Sequence, residues 1–424
     1  MHKNWFSYQL ARFVMTATGL QFFYKKVIVD GLENLPKDKP VLFLPNHQNS
    51  FMDALLIVAN VTHYTFFLTR AQAFNPPIQG KIISSMNMLP VYRVRDGLSS
   101  VTKNNEIFQL CIDYLKKNYA ILIFPEANHD LRRRIRPLSK GFTRIAFDAE
   151  VQNNWEMDLH LIPVGLNYTE HRRSRNKARV VFGEPIKMGE FKEAFEENER
   201  GASNLLRSRV QDEMKKLTMH VPNLDHYPTH KILLDDLEED ADKLIDPKNA
   251  NKNVEKIEEK ASPELFETGK KVYEFAEKHD IRIKNVIGMK KSNLPLILFF
   301  PLYLFSWLNN LIPYQPVRHL LTNAIKDHAF DASIKFLVSL ILFPLFWTIV
   351  STILYFSGVP FIYVFGYFVL SMLTSIHFKY ANLLVRNGKE RRKIKDIKES
   401  DPEGFKEFLA GIKKLNEFRK EALS

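Results

Sequence analysis

The sequence predicts an α/β domain followed by helical, membrane-inserting segments. Three observations point there. Between about residues 27 and 186, short β-rich apolar runs alternate with helix-like stretches, and several of these runs end in polar, chemistry-bearing segments. Beyond residue 291, two long apolar stretches carry no Asp, Glu, Lys or Arg.

The first 26 residues place Phe6, Leu10, Phe13, Val14, Ala17 and Leu20 at helical spacing, with Trp5 before them and Lys3, Arg12, Lys25 and Lys26 nearby. That pattern predicts an amphipathic, membrane-associating helix over 1–26. The runs that follow are Val27–Val29, Val41–Leu44, Tyr64–Leu68, Leu89–Tyr92, Ala120–Phe124, Leu161–Leu166 and Ala178–Phe182. At least two of these are continuous hydrophobic runs of the kind buried on both faces, and the alternation makes 27–190 an α/β domain. Residues 191–290 are dominated by helix formers and mixed charge, including Asp235, Asp236, Glu238, Glu239, Asp240 and Asp242. They are expected to form a charged helical connector, with an exposed break at 247–253.

The membrane region is expected at 291–378. Residues 336–356 and 359–378 would span as a hairpin around Gly358 and Pro360, and 294–312, interrupted by Pro295, Pro301, Asn309 and Asn310, would be interfacial or re-entrant. Arg318, Lys326 and Lys335 before the hairpin, and Lys379, Arg386, Lys389, Arg391, Arg392, Lys393 and Lys395 after it, assign both ends to the cytoplasmic side. This predicts an integral membrane protein with its α/β domain on the cytoplasmic face and a basic tail over 379–424.

Sixty Lys and Arg against 48 Asp and Glu give a formal charge of +12, which favours anionic partners. Nucleic acid is disfavoured, because the basic residues are spread along the chain among long apolar segments. Membrane phospholipid fits better. The single cysteine, Cys111, excludes an internal disulfide and is expected to fill space in a helix.

Four polar segments follow predicted strands. Asn46-His47 with Asp53 brings an imidazole and a carboxylate to a strand end, where a rigid frame can hold a general base. Arg93 and Arg95, after Leu89–Tyr92, supply guanidinium groups whose fork matches phosphate. Phe124-Pro125-Glu126 places an acid just after a strand, able to bind a hydroxyl or to cap a helix. Leu161-Ile-Pro-Val-Gly165 ends near Tyr168, His171, Arg172 and Arg173, and the basic stretch Arg132, Arg133, Arg134, Arg136 and Lys140 adds positive charge.

Taken in order, these four blocks resemble the glycerolipid acyltransferase family, which includes glycerol-3-phosphate and lysophosphatidic acid acyltransferases. The resemblance covers roughly residues 27–187. It implies a central mixed sheet flanked by helices, with His47 as the base that deprotonates an acceptor hydroxyl and Asp53 orienting the imidazole. It also implies that Arg93 grips the acceptor phosphate, beside which Arg95 stays a second candidate on its own chemistry, and that Glu126, Phe124, Pro125 and Asn46 help seat the substrate. The implied reaction moves a fatty acyl group from acyl-CoA or acyl carrier protein to 1-acyl-glycerol 3-phosphate in phospholipid biosynthesis, with glycerol 3-phosphate as the alternative acceptor. No cofactor or metal is implied.

Two positions depart from the family pattern. Five residues, Gln48–Met52, separate His47 from Asp53 where four are usual, and a bulged turn could absorb the extra one. Ala127 stands where glycine is usual after Phe124-Pro-Glu, which suggests that the backbone there needs no positive φ. A metal-dependent hydrolase using His47, Asp53, Glu126 and His129 lacks a recognised ligand spacing and leaves Arg93 without a purpose. A non-catalytic scaffold is disfavoured because both the His and the acid are present.

Overall fold

The computed structural model describes residues 5–92, 102–238, 240–288 and 299–423. Two compact units divide the chain. The first comprises residues 1–171, 177–220 and 245–248, and the second comprises residues 172–176, 221–244 and 249–424.

All seven predicted runs form strands in the first unit. They are β1 (Lys26–Asp30), β2 (Val41–Pro45), β3 (Thr65–Arg70), β4 (Met88–Val91), β5 (Ala120–Leu122), β6 (His160–Tyr168) and β7 (Lys177–Phe182), and a short β8 (Ile186–Lys187) is added. The sheet order is β1-β7-β6-β2-β5-β3-β4, with β8 pairing β6. Strands β6, β2, β5, β3 and β4 run parallel, whereas β7 and β8 are antiparallel to β6, so the sheet is mixed. The parallel strands therefore all end on one edge, where open α/β sheets place their sites. Strands β2 and β6 are buried along their whole length, which accounts for their unbroken apolar sequence.

Helices cover the sheet. After α1 (Trp5–Phe13) come α2 (Phe51–Asn60), α3 (Lys103–Leu115), α4 (Gly141–Val151) and α5 (Glu199–Leu217). Phe108, Ile112 and Leu115 of α3, Phe142 and Ile145 of α4, and Leu206, Val210 and Met214 of α5 share one core. Cys111 is buried in α3, where burial pushes its thiol up to about 12. Helix α1 turns Trp5, Phe6, Leu10 and Phe13 outward while Tyr8 is buried.

The first unit runs past residue 190, the boundary expected from sequence, to His220. Helix α5 is highly charged, but Ala202, Leu206, Val210 and Met214 recur at four-residue spacing and form a buried stripe. Its last residue approaches β6 so closely that a Cβ on Gly165 would lie 1.9 Å from the Leu217 carbonyl oxygen. Only glycine fits there.

Residues 247–253, expected as an exposed break, instead open the helix Pro247–Lys260. Proline is tolerated at a first helical position because its missing N–H would be unpaired there anyway. In the second unit lie α6 (Pro263–Lys278), α7 (Phe300–His319), α8 (Asp331–Phe356), α9 (Phe361–Ser375), α10 (Phe378–Ser400) and α11 (Pro402–Ala422). The expected basic tail is thus helical, and α11 packs on α6 through buried Phe405, Phe408, Ile412 and Leu415. Apolar residues at helical spacing, interleaved with lysines, had disguised a packed helix as a tail.

Of the two expected spans, His328–Phe356, at 29 residues, is long and apolar enough to cross a membrane. The second stretch forms the 15-residue α9, joined to α8 by a turn at Gly358 with φ +87°. Helix α7 occupies most of the segment expected to be interfacial, and residues 294–298 lie outside the described residues.

Candidate active site

His47 lies two residues beyond β2, and its main chain is clamped on both sides. Its N–H donates to Glu126 Oε2 at 3.0 Å, and its carbonyl accepts from the Asp130 N–H at 3.0 Å. The ring stacks on Phe124, with centroids 3.8 Å apart and planes at 18°. Nδ1 lies 2.9 Å from Asp53 Oδ2. A carboxylate at that distance selects the Nδ1–H tautomer, which leaves Nε2 with a free lone pair. The imidazole is 15% exposed, so the site is nearly closed but reachable.

Asp53 is in the first turn of α2 and fully buried. Besides His47, its carboxylate accepts from the Gln48 N–H at 2.9 Å, the Asn49 N–H at 2.7 Å and the Tyr168 hydroxyl at 2.5 Å. The loop between His47 and α2 takes up its fifth residue at Ser50, whose φ of +50° and ψ of −127° let the chain turn sharply into the helix. The extra residue therefore does not separate the acid from the imidazole.

The turn after β5 supplies the second wall. The Ala127 N–H donates to the Phe124 carbonyl at 3.1 Å, and Ala127 has φ +61°. This overturns the expectation that alanine marks a backbone with no need of positive φ: the left-handed conformation persists and alanine bears its cost. Both Glu126 oxygens are engaged, since Oε1 accepts from the Arg136 N–H at 2.8 Å and the Arg136 guanidinium lies 3.4 Å from Oε2. Pro125 is buried and its carbonyl accepts from the Ser139 N–H at 2.7 Å. Asn46 is also buried, and its side-chain amide both donates to the Leu166 carbonyl at 3.1 Å and accepts from the Leu166 N–H at 2.7 Å. That amide continues the β2–β6 pairing past the strand end.

Burial lowers the His47 imidazole from its ordinary value, against the pull of Asp53, and His129 and Arg136 lower it further. At neutral pH the ring is neutral. Burial raises the Glu126 carboxyl, opposed by Arg136 and the two main-chain N–H groups. Tyr168 is held well above its ordinary value by burial and by Asp53, which keeps its hydroxyl a proton donor.

Arg93 and Arg95 lie outside the described residues, which stop at Tyr92, one residue past β4. Of the basic stretch, Arg132 pairs with Asp130 at 2.6 Å, and Arg133 is buried and donates to the Tyr168 carbonyl at 2.8 Å. Sequence reasoning missed the parts of Tyr168, Arg136 and the Gln48–His171 hydrogen bond of 2.9 Å. Tyr168 ends β6 on the same sheet edge as His47, and that shared position was the available signal.

A family model described as Acyltransferase matches residues 26–167. The chain is 34% identical over 125 residues to the chloroplastic 1-acyl-sn-glycerol-3-phosphate acyltransferase BAT2 of Brassica napus, covering 29% of this chain and 34% of that protein. It is 28% identical over 123 residues to glycerol-3-phosphate O-acyltransferase 2 of Saccharomyces cerevisiae, covering 29% of this chain and 16% of that protein. Among solved structures, the 1-acyl-sn-glycerophosphate (LPA) acyltransferase PlsC of Thermotoga maritima matches with TM-score 0.38 and 20% identity, over 51% of this chain and 83% of that one. The chain thus spans about a third or less of the length of these curated relatives.

Proposed function

From residues 26–167 as a domain of the acyltransferase family, we infer that the protein is a membrane-bound O-acyltransferase of glycerolipid synthesis. The acyl group passes from the thioester of acyl-CoA or acyl carrier protein to the free hydroxyl of 1-acyl-glycerol 3-phosphate, giving phosphatidic acid. The observation that carries this reading is the His47–Asp53 pair, a neutral imidazole anchored at Nδ1 with Nε2 left to accept a proton.

A hydroxyl is a poor nucleophile at neutral pH, and a positioned base contributes typically about 10² to 10⁴-fold. His47 Nε2 takes the acceptor proton as the oxygen bonds to the thioester carbonyl carbon. The tetrahedral adduct then collapses, the carbon–sulfur bond breaks, and the departing thiolate takes the proton back from Nε2. Asp53 stabilises the transient imidazolium, and Phe124 fixes the ring plane. Glu126 acts through the His47 and Arg136 main chain as a brace. Arg93, with Arg95 beside it in sequence, binds the acceptor phosphate. The reaction needs no cofactor beyond the thioester co-substrate.

Membrane attachment is supported by the apolar helix His328–Phe356 and by the outward apolar residues of α1. Basic residues on both flanks of the hairpin favour a cytoplasmic catalytic domain. Glycerol 3-phosphate is the alternative acceptor, favoured by the similarity to the yeast protein. Purified protein in detergent with radiolabelled acyl-CoA and each acceptor in turn tests the reading, run beside His47→Ala. Labelled product from one acceptor, lost in the variant, supports it and names the substrate. Absence of product from both acceptors with both donor types overturns it.

A further inference from the structure

Helix α7 is inside out. Its apolar residues Phe300, Leu304, Leu308 and Ile312 recur every four positions and are each at least 40% exposed. Its inward face carries Ser306 and Asn310, both fully buried. A helix on a water-soluble protein does the reverse, turning its apolar stripe to the core and its polar side chains to solvent.

The buried polar side chains are used between helices. The Ser306 hydroxyl donates to the Thr374 carbonyl of α9 at 2.7 Å. The Tyr367 hydroxyl of α9 donates to Asn309 Oδ1 at 2.6 Å, and the Trp347 indole N–H of α8 donates to Asn310 Oδ1 at 3.0 Å. Hydrogen bonds donated by Ser306, Tyr367 and Trp347, two of them accepted by Asn309 and Asn310, thus join α7 to both arms of the hairpin. Such bonds hold helices together where the surroundings are as apolar as the side chains and burial supplies no drive to associate. The hairpin has the same polarity: Ile341, Leu345, Ile349 and Ile353 form an exposed stripe on α8, and Phe361, Ile362 and Phe365 are exposed on α9.

We propose that α7 is a third lipid-embedded helix, locked to the α8–α9 hairpin by its polar face, and that the stripe Phe300, Leu304, Leu308 and Ile312 faces lipid acyl chains. This rests on the membrane reading of the hairpin and extends it to a helix whose own sequence, with Asn309, Asn310, Pro313 and Pro316, marks it only as interfacial or re-entrant. The occupant is lipid because the α7 stripe repeats the four-residue pattern of α8, and because Ser306, Asn309 and Asn310, the polar side chains along the stretch that carries the stripe, are spent on the hairpin.

The test uses the full chain with Cys111→Ala, reconstituted into vesicles of phosphatidylcholine and phosphatidylglycerol. Nitroxide labels are placed at Leu304→Cys, Leu308→Cys and Ile312→Cys, at Ile349→Cys and Ile353→Cys on the hairpin, and at exposed Lys413→Cys as an aqueous control. Because all the labelled positions are exposed, the label substitutions remove no core contact, and the buried Cys111→Ala change is common to every variant. Each label is read by its accessibility to oxygen, which concentrates in lipid, and to a water-soluble nickel chelate. The expected result is α7 and α8 labels relaxed by oxygen and shielded from nickel, with the Lys413 label reversed. Labels on α7 open to nickel while those on α8 are shielded overturn the α7 inference alone. Nickel access at both overturns the membrane reading itself. Spin–spin broadening between α7 labels on different chains assigns the stripe to a second copy and also overturns the proposal.

Discussion

The Tyr168 hydroxyl donates to Asp53 Oδ1 at 2.5 Å, across 115 residues of sequence, while the other oxygen of the same carboxylate faces His47. Tyr168→Phe removes that donor without changing shape. Asp53 then keeps more charge for the imidazolium, so the acidic limb of the kcat/KM profile is expected to move to higher pH. A loss of orientation on the order of 1 kcal/mol would lower kcat about fivefold. An unmoved limb would limit Tyr168 to packing.

The His47 imidazole sits below its ordinary 6.5 because burial disfavours the charged ring. Activity that needs the neutral base is therefore expected to hold at pH 6.5 and to fall only at lower pH. The stability sign is the same: in that window the unfolded chain binds the proton first, so the contribution of His47 is present above 6.5 and lost as pH falls. The measurements are kcat/KM and denaturant midpoints across pH 4.5–8, compared with His47→Gln. An acidic limb above 6.5 would contradict the assignment.

Ser50 and Ala127 both hold backbone conformations that favour glycine. Ser50→Gly and Ala127→Gly are each expected to stabilise the protein by about 1 kcal/mol and to leave the Asp53 and Glu126 contacts in place. Thermal unfolding in detergent checks this, and a lowered midpoint for Ala127→Gly would show that the methyl group packs usefully.

Gly165→Ala is expected to destabilise by about 2 kcal/mol, because its methyl group would meet the Leu217 carbonyl. Chemical denaturation followed at Trp155 reads the effect, and a shift under 0.5 kcal/mol would mean that α5 moves aside at little cost.

The strand runs were legible because each is apolar and bounded by polar turns, and the His47 and Glu126 blocks because they follow strand ends. The charged exterior of α5 hid a stripe of four buried residues, so the domain boundary was placed too early. Ala127 misled because composition does not encode φ, and the turn imposes the left-handed conformation whichever small residue stands there. The parts of Tyr168 and Arg136 depend on which strands become neighbours. Pairing β2 with β6 brings Tyr168 over Asp53, and no spacing along the chain reveals that.

The Asp53 carboxylate holds two main-chain donors, a phenol and an imidazole at once. With both its oxygens already taken up by these donors, the carboxylate holds the Nδ1 proton in a hydrogen bond and leaves it on the ring. In the proposed reaction a single proton is therefore in flight, between the acceptor oxygen and Nε2. Rates measured in mixtures of light and heavy water should then fall along a straight line with deuterium fraction, whereas a bowed line would mean that a second proton moves with the first.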